Sequence, residues 1–254
     1  MDTSQDLRNR LSDGHTLSAS WLFLGSPVTT EILSAAGFDL LLLDREHAPG
    51  GLDTLYHQLR AADVPVVVRL DSAHPSQIKL ALDAGVQGIA ISNLSTGDQA
   101  RNLVAATRYV PEGTRGIQRL SRAARYGTDW ESYRATTGAA PLTMAVIETV
   151  TGLENLDDIL GVDGLDVIFI GAVDLAAGLG HLKDMSHPEV KAAIARIETR
   201  TRAAGKVLGG LANAPEDATA KMALGYQLLS FGSDALFLRE GALAAAKNAK
   251  EAIG

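Results

Sequence analysis

The chain contains no cysteine, which excludes disulfides, thiolate metal ligands and a cysteine nucleophile, and leaves any metal chemistry to oxygen and nitrogen donors. Long apolar runs are also missing: no stretch approaches the ~18 consecutive apolar residues that a membrane span needs. The opening residues Met1, Asp2, Thr3, Ser4, Gln5 and Asp6 are polar and acidic. No basic segment leads into an apolar one, so no signal peptide is read and a cytoplasmic protein is expected. Positive charge is in deficit. With 23 Lys and Arg against 30 Asp and Glu, the net charge of -7 argues against general affinity for nucleic acid, whose phosphates need clustered cations. A small anionic ligand would have to be held by individually placed arginines. Low-complexity tracts and internal repeats are absent, and 46% hydrophobic content is ample for one large core.

What is present is a rhythm of apolar runs, bounded by turn residues and separated by helical patterns, which implies parallel strands joined by helices. Strands are expected at 17–24, 40–44, 65–70, 88–93, 142–148, 166–171, 207–212 and 228–232. Leu40, Leu41, Leu42 and Leu43, like Val66, Val67 and Val68, are apolar at successive positions, as strands covered on both faces require. An open doubly wound sheet would give the same local pattern. Eight strand–helix units, and a length of 254 residues, favour a closed (β/α)8 TIM barrel, a single α/β domain over residues 1–254. Gly37, Gly85, Gly205 and Gly225 fit helix C-caps leading into strands. Residues 235–253, amphipathic and alanine-rich, are expected to form the eighth barrel helix. One segment interrupts the rhythm: residues 110–141 carry Pro111, Gly113, Gly116, Arg115, Arg119, Arg122, Arg125, Tyr126 and Trp130. Loops of that length in compact domains are often functional.

Active sites of α/β barrels lie at the C-terminal ends of the strands, so polar residues that end apolar runs come first. The second strand ends in Asp44, Arg45, Glu46 and His47, the third in Arg69, the fifth in Glu148, and the sixth leads into Gly171, Ala172, Val173 and Asp174. Glu148 and Asp174 follow consecutive strands and suit a hard divalent cation; the alternative is that each caps the helix behind it. The turn from Gly171 could present helix N–H groups to a carboxylate, although such turns also occur without ligands. His47, three residues after Asp44, is a general-base candidate if the aspartate orients it, or else an ordinary surface or core histidine. Arg69 at a dry strand end requires a partner or an anionic ligand, and a structural salt bridge to Asp44 or Glu46 would also satisfy it.

At these residues the chain resembles the HpcH/HpaI aldolase family, the class II pyruvate-dependent aldolases. The resemblance runs over nearly the whole chain. It is carried by Ala36-Gly37-Phe38-Asp39 leading to Leu43-Asp44-Arg45-Glu46-His47-Ala48-Pro49, then Val68-Arg69 and Leu82-Asp83-Ala84-Gly85. Further motifs are Thr107-Arg108-Tyr109 with Gly113-Thr114-Arg115-Gly116, Ile147-Glu148-Thr149, and Phe169-Ile170-Gly171 through Asp174-Leu175. It implies a metal-dependent aldolase or lyase that adds a pyruvate-type 2-oxo acid reversibly to an aldehyde, with Mg2+, Mn2+ or Co2+ held by Glu148 and Asp174. His47 would be the base, Asp44 its orienting partner, and Arg69 would hold the 2-oxo oxygen. Gly171, Ala172, Val173, Asp174, Leu211, Arg69 and Arg45 are expected around the substrate. Homo-oligomers, hexamers built from interlocking dimers, are implied as well.

The departures from the family pattern are equally specific. Arg45 stands where relatives usually carry a small residue, Val146 where glutamine is common, Ala172 where proline is usual, Ser92-Asn93 in place of Pro-Met, and Gln118-Arg119 in place of a small glycine-containing stretch. Arg45 either binds a second anionic group of the acceptor or pairs with Glu46 or Glu148. The loss of a polar side chain at Val146 implies low activity on plain pyruvate. Two other functions remain open: an oxaloacetate decarboxylase or related carbon–carbon synthase, and a barrel that binds without catalysis.

Overall fold

The computed structural model describes residues 4–136 and 141–253. The opening tripeptide Met1 to Thr3 and residues 137–140 of the arginine-rich segment therefore lie outside the described residues. Eight parallel strands close into a barrel in chain order, the eighth pairing with the first. They are β1 (Leu17–Leu22), β2 (Leu40–Asp44), β3 (Val66–Leu70), β4 (Gly88–Ile91), β5 (Leu142–Ile147), β6 (Val167–Ile170), β7 (Val207–Ala212) and β8 (Tyr226–Ser233). The expected (β/α)8 barrel is thus observed. Strands β2 and β3 carry Asp44 and Arg69 within them, whereas β5 stops one residue before Glu148 and β4 ends at Ile91, because Asn93 beyond it takes φ 53°, which no strand residue adopts.

Helices α1 (Ser4–Ser12), α2 (Pro27–Ala35), α3 (Leu52–Ala61), α4 (Pro75–Ala84) and α5 (Gly97–Thr107) punctuate the first half of the chain. The second half carries α6 (Trp130–Ala135), α7 (Val150–Glu154), α8 (Leu156–Leu160), α9 (Ala172–Gly178), α10 (Pro188–Ala203), α11 (Pro215–Ala223) and α12 (Asp234–Ile253). Proline opens α2, α4, α10 and α11, where its missing N–H removes no helical bond. Gly85 closes α4 at φ 102°, and Gly37, Gly205 and Gly225 likewise hold positive φ at the turns into strands, as expected.

The two faces of each strand feed two cores. Leu40, Leu42, Val67, Met144, Val146 and Phe169 fill the barrel, while Leu41, Leu43, Val66, Val68, Ile89 and Ile147 pack under the helices. This period of two fixes what faces the mouth, because it continues through Asp44, Arg69 and Glu148 on the interior side.

The sequence reading had not placed α1. It closes the N-terminal end of the barrel with the buried Leu7 and Leu11, and Arg8 grips Asp166 with both terminal nitrogens at 2.6 Å. Arg8 also donates to the Pro141 carbonyl at 2.7 Å. Arg8→Ala leaves the Asp166 carboxylate in a largely dry site without its countercharge and is expected to cost about 2 kcal/mol of unfolding free energy in urea titration.

The arginine-rich segment divides into structural and exposed parts. Arg115 is 3% exposed, donates to Asp83 (3.0 Å) and the Tyr133 hydroxyl (2.8 Å), and lies 4.6 Å over the Tyr109 ring. Arg122 ties the segment to the carbonyls of Ala84 and Leu59. These two arginines build a small satellite core around Ala124, Trp130 and Tyr133, whereas Arg119 and Arg125 are exposed. The eighth helix corrects another expectation. Helix α12 forms, but every residue from Phe237 to Ile253 is exposed, so it extends past the barrel and does not lie along it. No helix among the described residues is long and apolar enough to cross a membrane.

Candidate active site

The C-terminal strand ends open into a cavity of about 770 Å3. Its walls include Trp21, Phe23, Val146, Phe169, Leu211 and Leu236, and its polar groups include His47, Arg69, Glu148 and Asp174. Gly171, Ala172 and Val173 also line it, so the sixth-strand turn and Leu211 stand where they were expected.

Arg69, facing inward from β3, is the hub. Its Nε donates to Asp44 Oδ1 at 2.7 Å, its Nη1 lies 3.2 Å from Glu46 Oε2, and its guanidinium stacks 4.7 Å over Trp21. Both salt bridges considered for Arg69 are therefore present, and the side chain still lines the cavity. Trp21 is fixed in turn by Ser230, 3.2 Å from its indole nitrogen, and by an edge contact to Phe169.

Asp44 is fully buried and serves a different partner from the one expected. Its carboxylate accepts the backbone N–H groups of Glu46 (3.2 Å) and His47 (2.9 Å) as well as Arg69. Burial opposes its ionisation, but the Arg69 bond and charge and the two N–H donors outweigh that, holding its pKa below the ordinary value. The expected Asp44–His47 ring contact is absent from these bonds: His47 Nε2 faces Glu46 Oε2 at 3.5 Å, with its side chain 70% exposed at the rim. A backbone N–H lies nearer to a short aspartate three residues back than an imidazole does, so Asp44 shapes the turn and leaves the ring to Glu46.

Glu148, just beyond β5, is 4% exposed and accepts the Asn93 N–H on Oε1 at 2.6 Å. Burial pushes its pKa up; the Asn93 bond and Arg69 oppose this, and the charges of Glu46 and Asp174 add to it. Asp174 sits in the first turn of α9, exposed to the cavity. A buried carboxylate destabilised by two more of its kind fits a divalent cation, which reverses the sign of the local field. Gly171 supplies the room, since a Cβ there would fall 2.5 Å from Glu148 Oε2. Gly171 has φ -87°, so an added methyl acts by displacement alone. Because the same Cβ would also fall 2.5 Å from the Glu148 Cβ, which cannot swing aside, Gly171→Ala is expected to cut kcat/KM about 100-fold and to lower the thermal midpoint as well.

Arg45 meets neither expectation. It donates to the carbonyls of Pro49 (3.2 Å) and Gly50, clamping its own loop, and pairs with neither Glu46 nor Glu148. Because Asp44 points inward, the adjacent side chain points out. Val146 is 2% exposed and packs in the barrel core beneath the cavity, making the floor apolar. Trp21, Phe169 and the tethering contacts of Asn93 are the contributions that the sequence does not announce, while Glu46, expected at the mouth, is found there. A second group of metal-ligand type joins His181 and His187 of the α9–α10 connection to Glu189 in the first turn of α10, where His187 Nδ1 accepts the Glu189 N–H and so caps the helix.

A parallel barrel with an arginine and several carboxylates converging on an apolar-floored cavity at its strand ends has the architecture of an enzyme site for a small molecule. The HpcH/HpaI aldolase/citrate lyase family model matches residues 17–240. The chain belongs to this family and is a carbon–carbon lyase of the aldolase type. It is 41% identical over 234 residues to 2-keto-3-deoxy-L-rhamnonate aldolase of Escherichia coli O157:H7, covering 90% of this chain and 87% of that one. Among solved structures it resembles an HpcH/HpaI aldolase/citrate lyase family protein from Burkholderia cenocepacia J2315. That match has 32% identity and a TM-score of 0.88 over 96% of this chain and 98% of the other. The citrate synthase SbnG aligns at 28% identity and TM-score 0.85, over 96% of this chain and 97% of that one.

Proposed function

We propose that the enzyme cleaves a 4-hydroxy-2-oxo acid reversibly into a pyruvate-type 2-oxo acid and an aldehyde, using a divalent cation, Mg2+, Mn2+ or Co2+. The observation that carries this reading is the convergence of the buried Glu148 and the Asp44-anchored Arg69 on one cavity. Glu148 and Asp174 would hold the cation, which supplies Lewis-acid polarisation of the 2-oxo group when bound. Arg69 donates to the oxygen on which charge develops as the carbon–carbon bond breaks, and its fixed guanidinium needs no reorganisation to do so. His47 gives or takes the proton at the methyl carbon, with Glu46 3.5 Å from its Nε2. Asp44 acts through Arg69 and the turn. Gly171, Ala172, Val173 and Leu211 bound the substrate, while Arg45 stabilises the rim and does not bind it.

The name of the E. coli relative supports a 3-deoxy-2-oxo sugar acid as first test substrate. Mixed with Mn2+ and this acid, the enzyme should release pyruvate, and release should stop with chelator. The similarity to a citrate synthase keeps oxaloacetate chemistry as a second arm. Carbon dioxide release from oxaloacetate that survives His47→Ala but not Glu148→Ala would make decarboxylation or a related synthase reaction the native task. No stabilisation by any divalent ion with oxalate would leave a non-catalytic binding barrel.

The same reading takes residues 1–254 as one catalytic unit, cytoplasmic and homo-oligomeric. Helix α12, exposed from Phe237 to Ile253 and carrying Leu238 at 62% and Leu243 at 63% exposure, supports the last point by leaving large apolar side chains uncovered by this barrel. Light scattering should return a hexamer.

A further inference from the structure

Asn93 has a backbone that few residues other than glycine tolerate and touches two carboxylates at once. At φ 53° its N–H donates to Glu148 Oε1 at 2.6 Å, and its side-chain amide donates to Glu46 Oε1 at 3.0 Å. The other oxygen of Glu46 lies 3.2 Å from Arg69 Nη1 and 3.5 Å from His47 Nε2. Three carboxylates, Glu46, Glu148 and Asp174, therefore share one mouth, and the carboxylates of Glu46 and Glu148 are tethered by opposite ends of a single neutral residue.

We propose that Asn93 is a positioning residue that gives these two carboxylates separate tasks. Its backbone holds Glu148 toward the cavity, and its amide keeps Glu46 on Arg69 and His47. A carboxylate left untethered beside a divalent cation is drawn to it, because hard cations take whatever oxygen donors can reach them. Such a move by Glu46 would take away one of the two carboxylates on Arg69 and loosen the group proposed to bind the 2-oxo oxygen. An amide achieves the separation without adding charge. Asparagine also accepts the left-handed backbone, which β-branched residues resist.

The inference rests on the proposed function, and its test separates the two. The full-length chain is stripped of metal, Mn2+ binding is followed by electron paramagnetic resonance, oxalate binding with Mn2+ by calorimetry, and KM and kcat with the 3-deoxy-2-oxo acid. Asn93→Gly keeps the backbone geometry and the N–H to Glu148 while removing the amide. It should bind Mn2+ as tightly as wild type or tighter, while oxalate affinity falls and KM rises by about tenfold, the scale of one hydrogen bond to a charged group. Asn93→Asp preserves the shape and sets a like charge against Glu46, so its KM should rise further. A merely structural residue would not divide metal binding from oxo-acid binding in this way. Unchanged KM and oxalate affinity in Asn93→Gly overturn the proposal, as does lost Mn2+ binding in a folded Asn93→Gly protein. A wild-type chain that binds no Mn2+ overturns the functional reading itself.

Discussion

Glu148→Gln should abolish lyase activity by about a thousandfold or more, equivalent to ~4 kcal/mol of transition-state stabilisation, and at the same time raise the melting temperature of the metal-free protein. Both effects have one origin. Glu148 is 4% exposed, near the carboxylates of Glu46 and Asp174, and its pKa is raised above the ordinary 4.5 mainly by burial. Its charged form opposes folding, whereas glutamine keeps an oxygen for the Asn93 N–H and removes the charge. A raised folded-state pKa means that the protonated form is the stable one. Wild-type stability relative to the variant is therefore greatest below the unfolded value of 4.5 and is lost as pH rises through the raised folded value. The midpoint difference, a few degrees at pH 7, should shrink on acidification, and bound Mn2+ should reverse it. Differential scanning fluorimetry with and without chelator measures both.

Arg69→Ala should show the opposite coupling, losing activity and stability together. Removal of a donor to the developing charge is expected to lower kcat by about 100- to 1000-fold. It also strands Asp44, which is fully buried and held below its ordinary pKa chiefly against burial by Arg69. Breaking such a pair costs about 3 kcal/mol, read as a lower urea midpoint. The Asp44 contribution is present above its unfolded pKa and disappears as pH falls through the lowered folded value, so the deficit should narrow in acid. Arg69→Lys should recover little, because an ammonium cannot reproduce the fork in which Nε meets Asp44 while Nη1 meets Glu46.

The barrel was legible because strands buried on both faces leave unbroken apolar runs, as in Leu40 to Leu43, and because polar residues at the ends of those runs mark the mouth. Glu148, Arg69 and Asp174 line the cavity for that reason. Errors arose where side-chain direction decided the outcome. Strand alternation already placed Arg45 outside once Asp44 was taken as inward, and the same rule, applied to β1, brings Trp21 under Arg69. Partner choice was harder. Asp44 at three residues from His47 suggested a ring contact, but backbone N–H groups and Arg69 reached the carboxylate first, and Glu46 became the neighbour of the imidazole. Asn93 was visible only as a departure from Pro-Met, because its two bonds depend on a positive φ that composition does not announce. Helix α12 was recognisable as amphipathic, but its periodicity could not say whether its apolar face meets this barrel.

The most direct test of the account needs no aldehyde. Pyruvate is incubated with the enzyme in deuterium oxide, and its methyl signal is followed by proton nuclear magnetic resonance. If Glu148 and Asp174 hold a cation that acidifies the methyl group beside Arg69, exchange should require Mg2+, Mn2+ or Co2+, stop with chelator, and vanish in Glu148→Gln. Absence of exchange with all three metals, or exchange that persists in chelator and in Glu148→Gln, would contradict it.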